Sequence, residues 1–488
     1  MSESVAVEPK TWKVGTLTYT RARLFNVFFW MLWGDFCLHL MDMGVVPTLF
    51  PLQLQEFGAS NTLYGFIQGT VVNLMFFVML PIVSTASDRY RSKLGRRIPF
   101  LLVPTPFLAI CLILLGFSGH IGRMLQANVP FLADVPWATI ALVLACTFFI
   151  AFKFFDFFPQ SIYYYMWADV IPAELMGTFG ALFRVFYAGG SLVFNYFLIG
   201  LAKAHPEWIY MGSAALYLVS FILLCVMVKE GQYPPPPPTG TDKSLEGRIN
   251  GFLVVSKQYI RQCFSNAFWW KYFLMNAAFQ CGYQPFMAFL IYYGQKIYGF
   301  TPEGLKAYGG VIATRDLIWI GVYLLLVPLM LKLHPLRAAI IGYIAMAAGA
   351  TLGYLTIHDA PTFKTLMLAT FAAVAFYLGG TAAIGPRLLP REQYGQFASA
   401  GSMIFRVSVA VATPALGAVL DFSHKSFTSV MLPGIVPSMG VVILPDYRLI
   451  FLWLAGFCGI GLLLAIWLYF DWKRLGGDKN YQPPVVVD

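Results

Sequence analysis

The segment Ser87-Asp88-Arg89-Tyr90-Arg91-Ser92-Lys93-Leu94-Gly95-Arg96-Arg97-Ile98-Pro99-Phe100 decides how the rest of the chain is read. Five cations fall in the nine residues from Arg89 to Arg97, between apolar runs at 62–84 and 98–118. Guanidinium and ammonium groups at this density cannot lie in hydrocarbon, so the stretch is a loop at a membrane face. Lys and Arg concentrate in cytoplasmic loops, which makes that face the cytoplasmic one. Every later span then alternates in direction from this loop.

Composition agrees. Of the 488 residues, 58% are apolar, 17% aromatic and 11% charged, whereas soluble domains carry about 25% charged residues. Many runs reach the ~20 apolar residues that a bilayer requires, which excludes a large soluble helical enzyme. The net charge of +10 resides in short loops between apolar spans. Such a distribution is orientation signal and contact with anionic lipid headgroups, and no nucleic-acid partner is expected. The seven cysteines form no C-x-x-C pair and no metal-ligand spacing, and six lie in apolar spans. They read as small core hydrophobes, with no metal site and no cofactor expected. Residues 1–24 are polar, without an apolar core or a small-residue cleavage site, so the first span is expected to act as an uncleaved anchor.

The expected fold is an all-α membrane protein of twelve transmembrane helices. The spans are read at 25–47, 62–84, 98–118, 137–165, 179–202, 207–228, 268–292, 308–331, 338–357, 365–386, 395–420 and 449–470. Both termini then share the face of the 85–97 loop. That face holds 21 Lys and Arg, the opposite face 7, and five more (Lys153, Arg184, Lys271, Arg315 and Arg406) fall within spans or at a span end. The asymmetry supports a cytoplasmic N-terminal segment, 1–24, and a cytoplasmic tail, 471–488. A cytoplasmic linker at 229–267 contains the Pro234–Pro238 run, a stiff extended spacer. Leu245 to Cys263 then alternates apolar residues with cations, as an amphipathic helix on the inner leaflet would. The linker divides the membrane region into two six-helix bundles, 25–228 and 268–470.

These halves carry an echo. Pro172-Ala173-Glu174-Leu175-Met176-Gly177-Thr178-Phe179 and Pro390-Arg391-Glu392-Gln393-Tyr394-Gly395-Gln396-Phe397 both read P-x-E-x-x-G-x-F, 218 residues apart, after the fourth and the tenth span. An arginine follows in the next span of each half, Arg184 and Arg406. The repeat points to a duplicated six-span unit and a pseudo-symmetric pair of bundles.

Two six-span halves, a long central loop and a cationic loop between the second and third spans resemble the major facilitator superfamily. The form D-R-x-x-S-K-x-G-R-R-x-P-F, from Asp88 to Phe100, is similar to plant sucrose transporters and the wider glycoside–pentoside–hexuronide:cation symporter group. The resemblance implies that Asp88 and Arg89 belong to a cytoplasmic gate that latches the two halves. Arg96, Arg97, Glu174, Arg184 and Glu392, which flank the same face, are assigned to that gate. A carboxylate at a helix end beside guanidinium groups can pair with a helix terminus and release it. The alternative is that the cations serve orientation alone.

A charge at mid-bilayer costs roughly 2.5–3.5 kcal/mol or more, so each intramembrane ionisable group requires a wet cavity or a partner. Asp35, His39 and Asp42 fall at i, i+4 and i+7 on one stripe of span one. Two carboxylates and an imidazole suit proton binding; alternatively Asp42 lies near the outer surface and His39 is a satisfied polar contact. Lys153, Asp156 and Gln160 form a second stripe, in span four, where Lys153 and Asp156 either neutralise each other or serve a substrate and a proton. In melibiose permease, a member of the resembled group, acids on the first and fourth helices bind sugar, which implies Asp35 and Asp156 here. That permease uses acids on its second helix for sodium. Span two here has only Gln68 and Asn73, so a proton is favoured over sodium as the coupling cation.

Arg184 and Asn195 share a face of span five, with Asp169 or Glu174 as alternative partners for Arg184. Arg315 and Asp316 are adjacent and point about 100° apart. Arg406 is mid-span and expected to face the interior. Asn276, Gln280 and Gln284 line one side of span seven with groups that both donate and accept, as sugar hydroxyls require. Tyr283, Trp30, Trp33 and Tyr163–Tyr165 could stack on a sugar ring. Gly65 and Gly69 form a G-x-x-x-G pair that permits close helix packing.

No G-x-x-x-x-G-K-S/T loop occurs, so an ion gradient is the expected energy source. The function expected is secondary active transport, a proton-coupled symport of a sugar or glycoside by alternating access, by a monomer in the plasma membrane. Substrate contacts are assigned to Asp35, Asp156, Gln160, Asn195, Gln280, Gln284 and Arg406. Proton coupling is assigned to Asp35, His39, Asp42, Lys153 and Asp156. Efflux of amphipathic compounds is the alternative within the fold; a membrane-embedded enzyme or a sensor is the alternative of another class.

Overall fold

The computed structural model describes residues 11–234, 257–390, 393–431 and 446–484. Glu392, most of the proline run and most of the amphipathic stretch at 245–263 lie outside the described residues; 257–264 is helical. In chain order the elements begin with β1 (Trp12–Val14), β2 (Leu17–Tyr19), α1 (Arg21–His39), α2 (Val46–Glu56), α3 (Asn61–Gly65), α4 (Val72–Arg89) and α5 (Ile98–Leu102). There follow α6 (Pro104–Gly116), α7 (Ser118–Asn128), α8 (Trp137–Val170), α9 (Met176–Val193), α10 (Pro206–Met227) and α11 (257–264). The chain continues with α12 (Ala267–Tyr298), α13 (Pro302–Lys332), α14 (Pro335–Thr356), α15 (Ala360–Thr381), α16 (Ile384–Leu388), α17 (Tyr394–Met431) and α18 (Leu449–Arg474).

Among the described residues, ten helical stretches are long and apolar enough to cross a membrane. The chain is an integral multi-pass membrane protein. Helices α12 and α13, of 32 and 31 residues, also exceed the ~20 residues needed. Their apolar runs are broken by Lys271, Asn276, Gln280 and Gln284 in the first and by Arg315 and Asp316 in the second.

The first span is longer than the sequence predicts. Pro47 and Pro51 suggest an end near residue 47, yet Arg21–Glu56 is one helical stretch of 36 residues. Proline lacks an N–H and its ring clashes with the carbonyl one turn earlier. Here the turn Leu40–Val45 widens to π geometry, with the Val46 N–H reaching the Met41 carbonyl, and the helix passes through. Two more π turns, Phe66–Val71 and Phe194–Leu198, join α3 to α4 and extend α9. The loop expected between spans three and four contains α7, an additional helix.

Two compact units form. The N-terminal unit takes residues 1–58 and 78–237; the C-terminal unit takes 59–77 and 238–488. Within the first, α6 packs on α8 and α10, and α1 on α9 and α10. Within the second, α14 packs on α15 and α18, and α12 on α17 and α18. The same pairing order thus recurs six spans later.

In the C-terminal unit, the Gly65/Gly69 pair does what its spacing predicts. A Cβ on Gly65 would lie 2.7 Å from the Thr413 carbonyl oxygen, and one on Gly69 2.4 Å from the Thr413 Cβ, so the bare backbone sets the approach of this segment to α17. The Asp421 carboxylate of α17 caps the start of α3. It accepts from the Asn61 and Thr62 backbone N–H groups at 3.0 and 2.8 Å, and from their side chains at 2.8 and 2.6 Å. A negative group at a helix N-terminus satisfies orphan donors and meets the positive end of the dipole.

His334 precedes α14, accepts the Leu336 N–H at 3.3 Å through Nδ1, and stacks on Trp472 with ring centroids 4.0 Å apart. Burial pushes its pKa down to about 4, with Arg387 and Arg337 acting in the same direction and Asp478 against it. The unfolded chain therefore binds this proton more readily than the folded one. Stability is complete above the ordinary value of 6.5 and declines as pH falls from there toward about 4. The melting temperature of the detergent-purified protein is expected to fall across that window, and to fall less in His334→Asn, which retains a capping acceptor. Equal slopes in the two proteins would refute this assignment.

Candidate functional site

The intramembrane charges of the N-terminal unit converge. Asp35 and His39 are carried by α1, Asp42 by the π turn, and Lys153, Asp156 and Gln160 by α8. Lys153 Nζ lies 2.7 Å from Asp42 Oδ1 and 3.1 Å from Asp156 Oδ2, and Gln160 Nε2 donates to that same Asp156 oxygen at 2.8 Å. Lys153 and Asp156 do neutralise each other across i, i+3, as one of the two sequence readings holds, but Asp42 joins them from another helix. One ammonium thus bridges two carboxylates, and the cluster carries one negative charge in excess when both are ionised.

Asp35 and His39 form the adjoining pair. His39 Nδ1 bonds the Asp35 backbone carbonyl at 2.9 Å and lies at ion-pair distance, 2.9 Å, from Asp35 Oδ1, while both Asp35 carboxylate oxygens are buried without a hydrogen-bond partner among the described residues. His39 Nε2 is 3.4 Å from the Tyr164 hydroxyl, and its ring lies 4.1 Å from that of Tyr187. The burial is graded. Asp35 and Asp156 are wholly buried, whereas the Asp42 side chain is 20% exposed and Tyr164 is 38% exposed. Asp42, Gln160 and Tyr164 thus retain exposed surface where Asp35 and Asp156 have none.

Packing holds this arrangement in place. A Cβ on Gly190 of α9 would lie 2.5 Å from the Leu40 N and 2.8 Å from the Phe36 carbonyl oxygen, so only glycine lets α9 close on α1 beside His39. Asn195 donates to the Ser191 carbonyl at 2.9 Å and to the Ser191 hydroxyl at 3.2 Å. Two of the expected stacking aromatics are committed elsewhere. The Tyr163 hydroxyl donates to the Met31 carbonyl, and Trp33 Nε1 donates to Ser220 Oγ at 3.0 Å.

In the C-terminal unit, Arg315 and Asp316 pair with each other, the guanidinium reaching Asp316 Oδ1 at 2.7 Å, and both are buried. Their divergent side-chain directions are overcome by the length of the arginine. Arg406 is half-buried, its guanidinium carbon 4.8 Å from the Phe76 ring centre, a cation–π contact. Its Nε is buried without a hydrogen-bond partner among the described residues. Gln284 donates to Gln280 at 3.3 Å, with Gln284 exposed and Gln280 half-buried. Lys271 pairs with Asp471 at 2.5 Å.

The loop residues assigned to a gate form a clamp inside the N-terminal unit. Asp88 pairs with Arg97 at 2.6 Å, rather than with a helix terminus. Arg96 and Arg97 both reach Asp169, at 2.5 and 3.3 Å. Glu230, which the sequence reading missed, accepts the backbone N–H groups of Arg96, Arg97 and Ile98 at 3.0, 2.8 and 2.7 Å and so caps α5. The signal for it was faint: an acid just beyond a span, opposite a five-cation loop. Glu174 lies in the short turn that opens the next helical stretch, and Arg184 lies midway along α9.

Ionisable groups buried within the spans of a multi-pass membrane protein mark a functional site. The family model of the Major Facilitator Superfamily matches residues 32–413, and the chain belongs to that family. It is similar to the sucrose transport protein SUC3 of Arabidopsis thaliana, 26% identical over 193 residues, covering 36% of this chain and 31% of that protein. It is also similar to SUT5 of Oryza sativa subsp. indica, 30% identical over 146 residues, covering 28% of this chain and 26% of that protein. The chain thus spans under a third of the length of these curated relatives. Among solved structures, a bacterial homologue of the human lysosomal transporter Spinster has a TM-score of 0.60 at 13% identity, covering 95% of this chain and 98% of its own. A D-xylose–proton symporter has a TM-score of 0.59 at 14% identity, covering 94% and 98%.

Removing one partner of a buried ion pair costs about 3–5 kcal/mol, because the other charge is left uncompensated. Lys153→Met is therefore expected to lower the melting temperature sharply. Lys153→Met combined with Asp42→Asn and Asp156→Asn should recover most of the loss. Thermal unfolding in detergent measures both, and a triple variant no better than the single one would contradict the pairing.

Proposed function

We propose that this transporter is a proton-coupled symporter of a sugar or glycoside, working by alternating access. The observation that carries the reading is the Lys153 ammonium held between Asp42 and Asp156, with Gln160 on the same Asp156 oxygen. One cation against two carboxylates leaves a single negative charge, and one proton cancels it. Uptake of a proton loosens the hold of Lys153 on its partners and changes which hydrogen bonds Asp42 and Gln160 can offer a solute. That is the elementary coupling a symporter requires: an ion and a solute competing for, or completing, one polar network. Asp35 with His39 supplies a second protonatable pair one turn away.

In this reading Gln160 and Asp42 offer hydrogen bonds to solute hydroxyls within the N-terminal half, Asn195 supports them from its bonds to Ser191, and Gln280, Gln284 and Arg406 are the candidate solute contacts of the C-terminal half. The similarity to sucrose transport proteins supports a sugar. The second helix, with Gln68 and Asn73 as the amides within its span and no acid before Asp88, supports a proton over sodium. The recurrence of helix pairings six spans apart supports twelve helices in two six-helix bundles, 25–228 and 268–470. The charge asymmetry supports cytoplasmic termini; the location assigned is the plasma membrane, and the 85–97 loop with Asp88, Arg89, Arg96, Arg97, Glu174, Arg184 and Glu392 serves as the cytoplasmic gate. The protein acts as a monomer.

Vesicles containing the protein are expected to accumulate a labelled disaccharide such as sucrose under an imposed inward proton gradient, and not under a sodium gradient alone. Asp156→Asn should abolish accumulation, and with it the thermal shift that the sugar produces in the parent. No gradient-dependent signal across a panel of sugars would overturn the sugar assignment, and a sodium-driven signal would overturn the ion.

A further inference from the structure

The cationic loop borders an apolar groove that transport does not require. The groove has a volume of about 330 Å³; its lining includes Tyr90 and Phe100 from the loop and its flanks, Val103 and Phe107 from the third span, and Phe154 and Phe158 from α8. Val103 is 62% exposed and Phe107 50% exposed, so the groove opens on the outer surface of its unit. Tyr90 forms its mouth, edge-on to Phe100 with ring centroids 5.5 Å apart, and sits in the chain between Arg89 and Arg91.

The charge beside that mouth is not balanced. Arg96 and Arg97 are matched by Asp169 and Asp88, and Glu230 is consumed by backbone N–H groups. Arg91 donates to the carbonyls of Asp88 at 2.6 Å, Tyr90 at 2.8 Å and Pro234 at 2.9 Å and lies 5.7 Å from the Tyr233 ring centre, with no carboxylate partner among the described residues. Lys93 is exposed and makes no ion pair among the described residues. An aromatic slot that opens toward hydrocarbon, ending at uncompensated cations on the interface, complements one chemistry: an acyl chain attached to a phosphate.

We propose that this groove is a binding site for an anionic glycerophospholipid, with one acyl chain lying between the third span and α8 and the phosphate held at Arg91 and Lys93. The bound lipid ties the two spans to the loop that Asp88, Asp169 and Glu230 clamp.

The test is native mass spectrometry of the full-length protein, counting retained lipid after addition of dioleoylphosphatidylglycerol or of dioleoylphosphatidylcholine, which share acyl chains. The parent should retain phosphatidylglycerol preferentially. Arg91→Gln with Lys93→Gln should reduce that preference, each cation being worth roughly fivefold near an anionic headgroup. Val103→Trp, which fills an exposed position of the groove, should remove it although every cation remains; Phe107→Ala, which strips the wall, is the second groove variant should the first not yield monodisperse protein. Equal retention of both lipids by the parent, or an undiminished preference in the groove variant, would show only diffuse attraction to the loop and would overturn the site.

Discussion

A lysine ammonium buried at the depth of Lys153 cannot exist without anions within reach, and this constraint shapes the N-terminal unit. Neutralisation by Asp156 alone would have satisfied it locally, one turn along the same helix. The chain instead brings in Asp42 from the first span, 111 residues away, at the shorter of the two distances. That choice couples two helices through a charge, so that whatever alters the charge alters their fit. A buried pair within one helix would have been inert by comparison.

Two of the three π turns among the described residues lie beside this cluster. Asp42 lies in a π turn, and so does Asn195, on the span that closes over His39. A π turn inserts one residue and rotates the succeeding side chains by about 100° relative to an unbroken helix. It thereby carries a side chain to a face that simple periodicity would not assign to it. The bare backbone of Gly190 against Leu40 then brings the two spans close enough for the rings of His39 and Tyr187 to meet. Widened turns, prolines that the helix passes through and a glycine contact are costly in isolation, and they cluster where the polar side chains are.

The parts of this architecture that were legible from sequence are those with a short-range signature. The cationic loop marks a membrane face, spans are read from apolar length, and the i, i+3 and i, i+4 spacings place Lys153 with Asp156 and Asp35 with His39. The Gly65/Gly69 spacing likewise announces a close approach. What the sequence hid is what one residue does to another far along the chain. Nothing local links Asp42 to Lys153, Asp169 to Arg96, Glu230 to the start of α5, or Asp421 to the start of α3. The continuation of the first span through Pro47 was hidden for a related reason: proline is a breaker in the rule, and the π turn that accommodates it has no composition of its own.

The grading of exposure across the charged cluster bears on how labour is divided in it. Asp42, Gln160 and Tyr164 form the accessible edge; Lys153 stands behind them, and Asp156 and Asp35 are wholly buried. Under the function proposed, a solute at that edge meets Asp42 and Gln160 first and reaches Asp156 only by displacing Lys153, so recognition belongs to the outer groups and charge storage to Asp156, with Lys153 touching both. Lysine suits that place because its single mobile ammonium can shift between two carboxylates, where the planar fork of an arginine would lock onto one.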